Sequence, residues 1–229
     1  MTRPHIYINV AMTADGKIDS YLRKGATIST VVDKARVDGL RAAADGVMVG
    51  GRTLLAEDPG LTVRSQELRS ERVLLSKPEQ PARIGVVSEI PADYCLDEFT
   101  SAGSSQVFLF TTPRSSPEVI ARLQRAGVVV QVSAGERVDL EAAFEFLHQA
   151  GIQAVLVEGG GTLIAELFRL GLVDELSIYI APRIFGGARA PTLADGDGFL
   201  PEQSPRLELI SVERCDPEGG VCLHYKLIK

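Results

Sequence analysis

Ala154-Val155-Leu156-Val157-Glu158-Gly159-Gly160-Gly161-Thr162 is an apolar run that breaks on an acid and three glycines. Leu163, Ile164, Leu167, Phe168 and Leu170 then fall on one helical face, and Gly171 closes it. A buried strand, a tight turn and an amphipathic helix are predicted in that order. The pattern recurs upstream: Val47-Met48-Val49 enters Gly50-Gly51, and a helix runs towards Glu57 before Pro59 stops it.

Working outward, further strands are predicted at residues 84–87, 107–110 and 128–132. Ser116 followed by Pro117 starts a helix that ends at Gly127, and Asp139 opens another that stops at Gly151. Towards the N-terminus, residues 5–10 (HIYINV) alternate with the period of a strand. Thr30 caps a helix, with Asp33 facing its free amides, and Val37, Leu40 and Ala44 form its apolar stripe. Residues 60–82 and 88–106 carry little periodicity. At the other end come a strand at 176–180, a Gly/Pro-rich loop over 182–205, and two strands at 207–214 and 221–228. Alternating strands and helices with strands in succession at the end give an α/β fold, with a mostly parallel sheet and an antiparallel C-terminal hairpin. Residues 1–229 read as a single domain.

Composition narrows the function. The 229 residues are 45% hydrophobic and 24% charged, the proportions of a soluble globular protein. No apolar run is long enough to cross a bilayer, and no signal-peptide pattern opens the chain. A formal net charge of -6 argues against a nucleic-acid binder. Cys95, Cys215 and Cys222 form no CxxC pair. Cys215 and Cys222, seven apart near a predicted hairpin, allow a bridge, but the odd count and the missing export pattern favour free thiols in a reducing cytoplasm, and no metal site is expected.

The two glycine turns bring backbone amides and a threonine each, Thr53 and Thr162, to the carboxyl ends of strands, where open α/β sheets bind ligands. Tight turning alone would explain either turn taken singly. Neither completes GxGxxG or a P-loop, and Asp195-Gly196-Asp197-Gly198 fails as a calcium loop. Glu158 stands between an apolar strand and glycines, as a ligand-facing carboxylate or as a solvated strand-end acid. Arg64 near Glu57-Asp58-Pro59 reads as a phosphate clamp or a surface group, and Lys17 after Asp15-Gly16 has the same two readings. His5, His148 and His224 are scattered and read as surface or packing residues.

Taken together, Asn9-Val10-Ala11-Met12-Thr13-Ala14-Asp15-Gly16-Lys17, Asp45 to Gly50, Thr53 to Pro59, Leu61 to Arg64, Val157 to Thr162 and Leu172 to Gly187 resemble the signatures of the riboflavin-biosynthesis pyrimidine reductases. The resemblance implies a dihydrofolate-reductase-like fold, NADPH as cofactor, a homodimer and a cytoplasmic enzyme. It implies reduction of a ribosylamino pyrimidine 5′-phosphate to the ribitylamino compound. The HxE…PCxxC deaminase signature is absent. The resemblance is therefore to free-standing reductases acting on 2,5-diamino-6-ribosylamino-4(3H)-pyrimidinone 5′-phosphate. The deaminated 5-amino-6-(5-phosphoribosylamino)uracil is the alternative substrate, and a non-catalytic nucleotide-binding module is the alternative of another class.

By matched position, the resemblance assigns Met12, Gly50, Thr53, Glu57, Ser88, Gly159, Gly160, Gly161 and Thr162 to the cofactor. It assigns Asn9, Leu61, Arg64 and Glu158 to the substrate, with Lys17, Asp58 and Glu158 as the catalytic set. Glu57 departs from the aspartate usual before Asp58-Pro59, which keeps the charge and lengthens its reach. The subunit contact is expected at residues 176–180 and the loop that follows.

Overall fold

A computed structural model describes residues 2–228. Along the chain run β1 (His5–Thr13), α1 (Val31–Ala43), β2 (Gly46–Gly50), α2 (Gly51–Glu57), α3 (Gln66–Leu74), β3 (Ala82–Val86), α4 (Asp97–Ser101), β4 (Val107–Thr111) and α5 (Pro117–Arg125). They continue with β5 (Val129–Val132), α6 (Leu140–Gln149), β6 (Ala154–Val157), α7 (Gly161–Arg169), β7 (Glu175–Ala181), β8 (Leu207–Arg214) and β9 (Val221–Leu227). The described chain divides into two compact units, one of residues 2–4 and 38–156, the other of residues 5–37 and 157–228.

The first unit orders its strands β5-β4-β3-β2-β6, and β2, β3, β4 and β5 pair in parallel. Each residue of β2, β3 and β4 is buried, which explains their unbroken apolar sequences. Arg83 is the exception inside β3, and its guanidinium reaches the carbonyl of Ala102. Burial pulls its pKa down from the usual arginine range, against the opposing pull of Glu98. The caps read from sequence hold here: Ser116 accepts from Val119 N–H at 3.3 Å and Asp139 from Ala142 N–H at 3.0 Å. Helix α3, which the polar stretch 60–82 hides, is capped by Ser65 accepting from Leu68 N–H at 3.2 Å.

The second unit orders its strands β1-β7-β9-β8, with β1 parallel to β7 and the β7–β9 and β9–β8 pairs antiparallel. The expected α/β class with its antiparallel end is therefore found. Thr30 accepts from Asp33 N–H at 3.2 Å as the cap expected for α1. The Asp33 carboxylate turns instead to Arg36, whose guanidinium also reaches Ser177 and Asn9.

Two expectations are corrected in this unit. Residues 176–180 belong to β7, which lies between β1 and β9; Leu176 to Tyr179 are buried and so offer no surface for a subunit contact, while Ile180 is half-buried and the loop after it stays an expectation. Cys215 and Cys222 are bonded to one another, because the β8–β9 hairpin brings their Cα atoms within 5.7 Å; of the expected free thiols only Cys95 stays unpaired among the described residues.

Candidate active site

In the first unit, β2 ends at Gly50 and α2 begins at Gly51. A β-carbon on Gly51 would lie 2.9 Å from Val87 Cγ2 and 3.2 Å from Val87 Cα. No side chain caps α2. Thr53 is half-buried on α2, and Glu57 is exposed at its last turn. Asp58 follows at φ 40°, in the left-handed region that a non-glycine residue seldom adopts.

The Asp58 carboxylate accepts from Glu98 N–H at 2.8 Å and Phe99 N–H at 2.9 Å. It thereby satisfies the first turn of α4, which has no cap of its own. Leu61 is also left-handed, at φ 49°, with its side chain in the core. Beyond it, Asp38 on α1 accepts from Arg64 N–H and Ser65 N–H, both at 2.7 Å. Gln80 exchanges two bonds with the Val63 backbone, and Arg41 donates to Thr62 O at 3.0 Å.

Two residues of this segment, Asp58 and Leu61, are thus in a conformation that costs backbone energy, and Thr62 to Ser65 are held by hydrogen bonds; such strain clusters at functional sites. The Arg64 side chain is exposed. Ser88, two residues beyond β3, is half-buried, and its carbonyl accepts from Thr112 Oγ1 at 2.6 Å.

In the second unit, Asn9 is 5% exposed and its Oδ1 accepts from Arg36 Nη2 at 2.8 Å. Met12 is half-buried near the end of β1, opposite Ile180. The turn after β1 closes on itself: Thr13 N–H donates to Lys17 O at 2.9 Å and Lys17 N–H to Thr13 Oγ1 at 3.1 Å. Asp15 ties that turn to the loop after β7, accepting from Thr13 Oγ1 at 2.6 Å, Phe185 N–H at 3.2 Å and Gly186 N–H at 2.7 Å. The Thr13 hydroxyl first, opposed by partial desolvation and helped by the two amides, holds the Asp15 carboxyl below its ordinary pKa. The Lys17 ammonium has no hydrogen-bond partner among the described residues, and Lys17 bridges to Thr192 by its backbone.

Glu158 is half-buried after β6, and Gly159 follows at φ 134°, where an L side chain is strained. Gly160 and Gly161 then start α7. Thr162 is exposed in its first turn, and no side chain caps the helix. Helices α1, α3, α5 and α6 each carry a hydroxyl or carboxylate cap, so α7 differs from them in leaving its leading amides to something else.

Each unit therefore gathers its share of the predicted residues: Gly50, Thr53, Glu57, Asp58, Leu61, Arg64 and Ser88 in one, Asn9, Met12, Lys17, Glu158 and the glycines through Thr162 in the other. Of the carboxylates that hold these segments, Asp15 lies inside a recognised signature without an assigned role and Asp38 lies in none. Both bond backbone amides far along the chain, and only the fold reveals them. Among the described residues no group of His, Cys, Asp and Glu is arranged to hold a metal ion.

The chain is similar over most of its length to proteins of one kind. It is 42% identical over 202 residues to the 2,5-diamino-6-ribosylamino-4(3H)-pyrimidinone 5′-phosphate reductase of Archaeoglobus fulgidus, covering 86% of this chain and 89% of that protein. The reductase of the same name from Methanothermobacter thermautotrophicus is 38% identical over 201 residues, 86% of each chain. A crystal structure of a pyrimidine reductase-like protein from Corynebacterium diphtheriae superposes with a TM-score of 0.83 over 99% of this chain and 92% of that one, at 23% identity, and so shares the fold. Residues 4–221 match the RibD C-terminal domain model, and the chain belongs to that family.

Proposed function

We propose that this chain, as one reductase domain, reduces the ribosylamino side chain of 2,5-diamino-6-ribosylamino-4(3H)-pyrimidinone 5′-phosphate to ribitylamino in riboflavin biosynthesis, with NADPH as reductant. The observation that carries the reading is the near full-length similarity to two reductases of that name. The uncapped glycine start of α7 supports a nicotinamide dinucleotide: its amides, with Thr162, fit a pyrophosphate, and Gly159 lets the backbone take the required course. Met12, Gly50, Thr53, Glu57 and Ser88 complete the cofactor set in this reading.

When bound, the nicotinamide supplies the hydride that reaches C1′ of the ring-opened sugar. The chain's own task is to align that carbon and to manage a proton. The exposed Arg64 guanidinium clamps the substrate phosphate, Asn9 and Leu61 shape the pyrimidine seat, and Glu158 fixes the substrate. Lys17, whose ammonium is unengaged within the described chain, delivers the proton to the substrate nitrogen as the C–N double bond is reduced. Asp58 orients a sugar hydroxyl from a carboxylate already held by two amides.

A homodimer working in the cytoplasm belongs to the same reading. The edge strand β8, with Leu209 and Val212 more than half exposed, supports a second copy at that edge. Incubating the protein with NADPH and each candidate pyrimidine phosphate tests the assignment. Cofactor oxidation with the diamino compound is expected, and faster oxidation with the deaminated uracil would move the assignment to that substrate.

A further inference from the structure

The loop between β7 and β8 contains Asp195, which lies in none of the recognised signatures. Its Oδ1 accepts from Thr192 N–H at 2.9 Å and from Thr192 Oγ1 at 2.8 Å. Its own N–H donates to Gly161 O at 3.1 Å. Oδ2 lies 3.9 Å from Arg23 Nη1, and that arginine also donates to Arg189 O in the same loop at 3.0 Å.

The contact with Gly161 is close enough to exclude a side chain there: a β-carbon would fall 2.5 Å from Thr192 O and 3.1 Å from Asp195 Cγ. Thr192 is in turn the bridge partner of Lys17, and Ile18 N–H donates to Pro191 O at 3.0 Å. A continuous polar path therefore runs from the start of α7, through Asp195 and Thr192, to the turn that carries Lys17. Every link in it is a backbone group or a short side chain, so the path holds two turns in register with little rotamer freedom.

We infer that Asp195 is a positioning residue that sets the Gly161 turn and the Lys17 turn relative to one another. This rests on the reading above, in which the first turn holds the cofactor and the second the proton donor. Neither role requires the Asp195 charge. The working atom is Oδ1 as an acceptor, and an asparagine keeps it. Removing the acceptor takes two bonds from Thr192, leaving its hydroxyl only Ala194 O at 3.3 Å, so the link between the two turns loosens although the backbone bond from Asp195 to Gly161 stays.

The test compares wild type, Asp195→Ala, Asp195→Asn and Thr192→Val. NADPH turnover gives KM and kcat, and amide hydrogen exchange follows residues 13–18 and 160–164 without any ligand. Asp195→Ala is expected to raise the NADPH KM and lower kcat, each on the order of tenfold, and to speed exchange in both segments. Asp195→Asn should stay within about threefold of wild type on every readout, since the acceptor survives.

Unchanged exchange in both segments in Asp195→Ala would overturn the inference, as would an Asp195→Asn variant as impaired as Asp195→Ala. Should Asp195→Ala fail to fold, Thr192→Val deletes a single donor, and faster exchange at 13–18 is the supporting result and unchanged exchange the contrary one. A wild-type protein inactive on every pyrimidine phosphate would fail the functional reading while leaving the exchange comparison to decide the brace.

Discussion

The turn at Gly50-Gly51 and the turn at Gly159-Gly160-Gly161 look alike in sequence, each a glycine run between a buried strand and a helix without a side-chain cap. What crowds them differs. At Gly51 the space of a side chain is taken by Val87, an apolar residue just past the end of β3. At Gly161 it is taken by the carbonyl of Thr192 and by Asp195, polar groups of a loop that also holds the Lys17 turn. A glycine in a sequence announces that something comes close; it does not say whether that neighbour is packing, a brace or a ligand. In the first unit most of the charged candidates come later, between Glu57 and Arg64, where Asp58 bonds the start of α4 and Asp38 holds the Arg64 and Ser65 amides.

Alanine at each turn sharpens this contrast. Gly161→Ala meets a backbone oxygen that cannot step aside, so it should destabilise by ~3 kcal/mol, the upper part of the overpacking range, and weaken NADPH binding; urea unfolding and a cofactor titration read the two effects. Gly51→Ala meets mainly a valine side chain and should cost ~1 kcal/mol. Equal losses at the two sites would erase the distinction between brace and packing.

Lys17→Ala probes the braced side chemically. Its kcat should fall roughly tenfold or more with an unfolding midpoint near wild type, and an unchanged kcat at saturating substrate would remove Lys17 from proton transfer. Asp58→Ala probes the other unit: loss of the α4 cap should cost ~1 kcal/mol in urea unfolding, separately from any change in turnover.

The smallest effect expected concerns pH. Asp15 has a folded-state pKa held below its ordinary value, so its contribution is complete above the ordinary carboxylate range and is lost as pH falls through the lowered value. Asp15→Asn should therefore flatten the acid limb of the stability profile, and an acid limb as steep as wild type would assign that slope to other carboxylates. Tyr179 makes no such contribution near neutrality. Burial, with Asp216 accepting its hydroxyl at 2.7 Å, pushes its pKa up to about 12.

Strand–turn–helix units were legible where the hydrophobic period changes abruptly, as at 154–170, and helix starts where a hydroxyl precedes proline, as at Ser116-Pro117. Helix α3 was not, because QELRSERVL is largely polar and even its apolar end, Val73 to Leu75, faces solvent. The ligand-facing candidates could be named from local motifs. The groups that hold them could not: Asp15 reaches Gly186, 171 residues on, and Asp38 reaches Ser65, 27 residues on. Both bond backbone amides, which leave no trace in residue type. The Cys215–Cys222 bridge was legible only as an alternative: the spacing allows it, compartment logic ranks thiols above it, and the hairpin geometry decides for the bond.

The most direct test of the account follows the hydride itself. With NADPH deuterated at the transferable C4 position of the nicotinamide and the diamino ribosylamino pyrimidinone phosphate as substrate, mass and proton spectra of the product should show one deuterium on C1′ of a ribityl chain. A protein that binds NADPH and the pyrimidine yet yields no labelled ribityl product would contradict it.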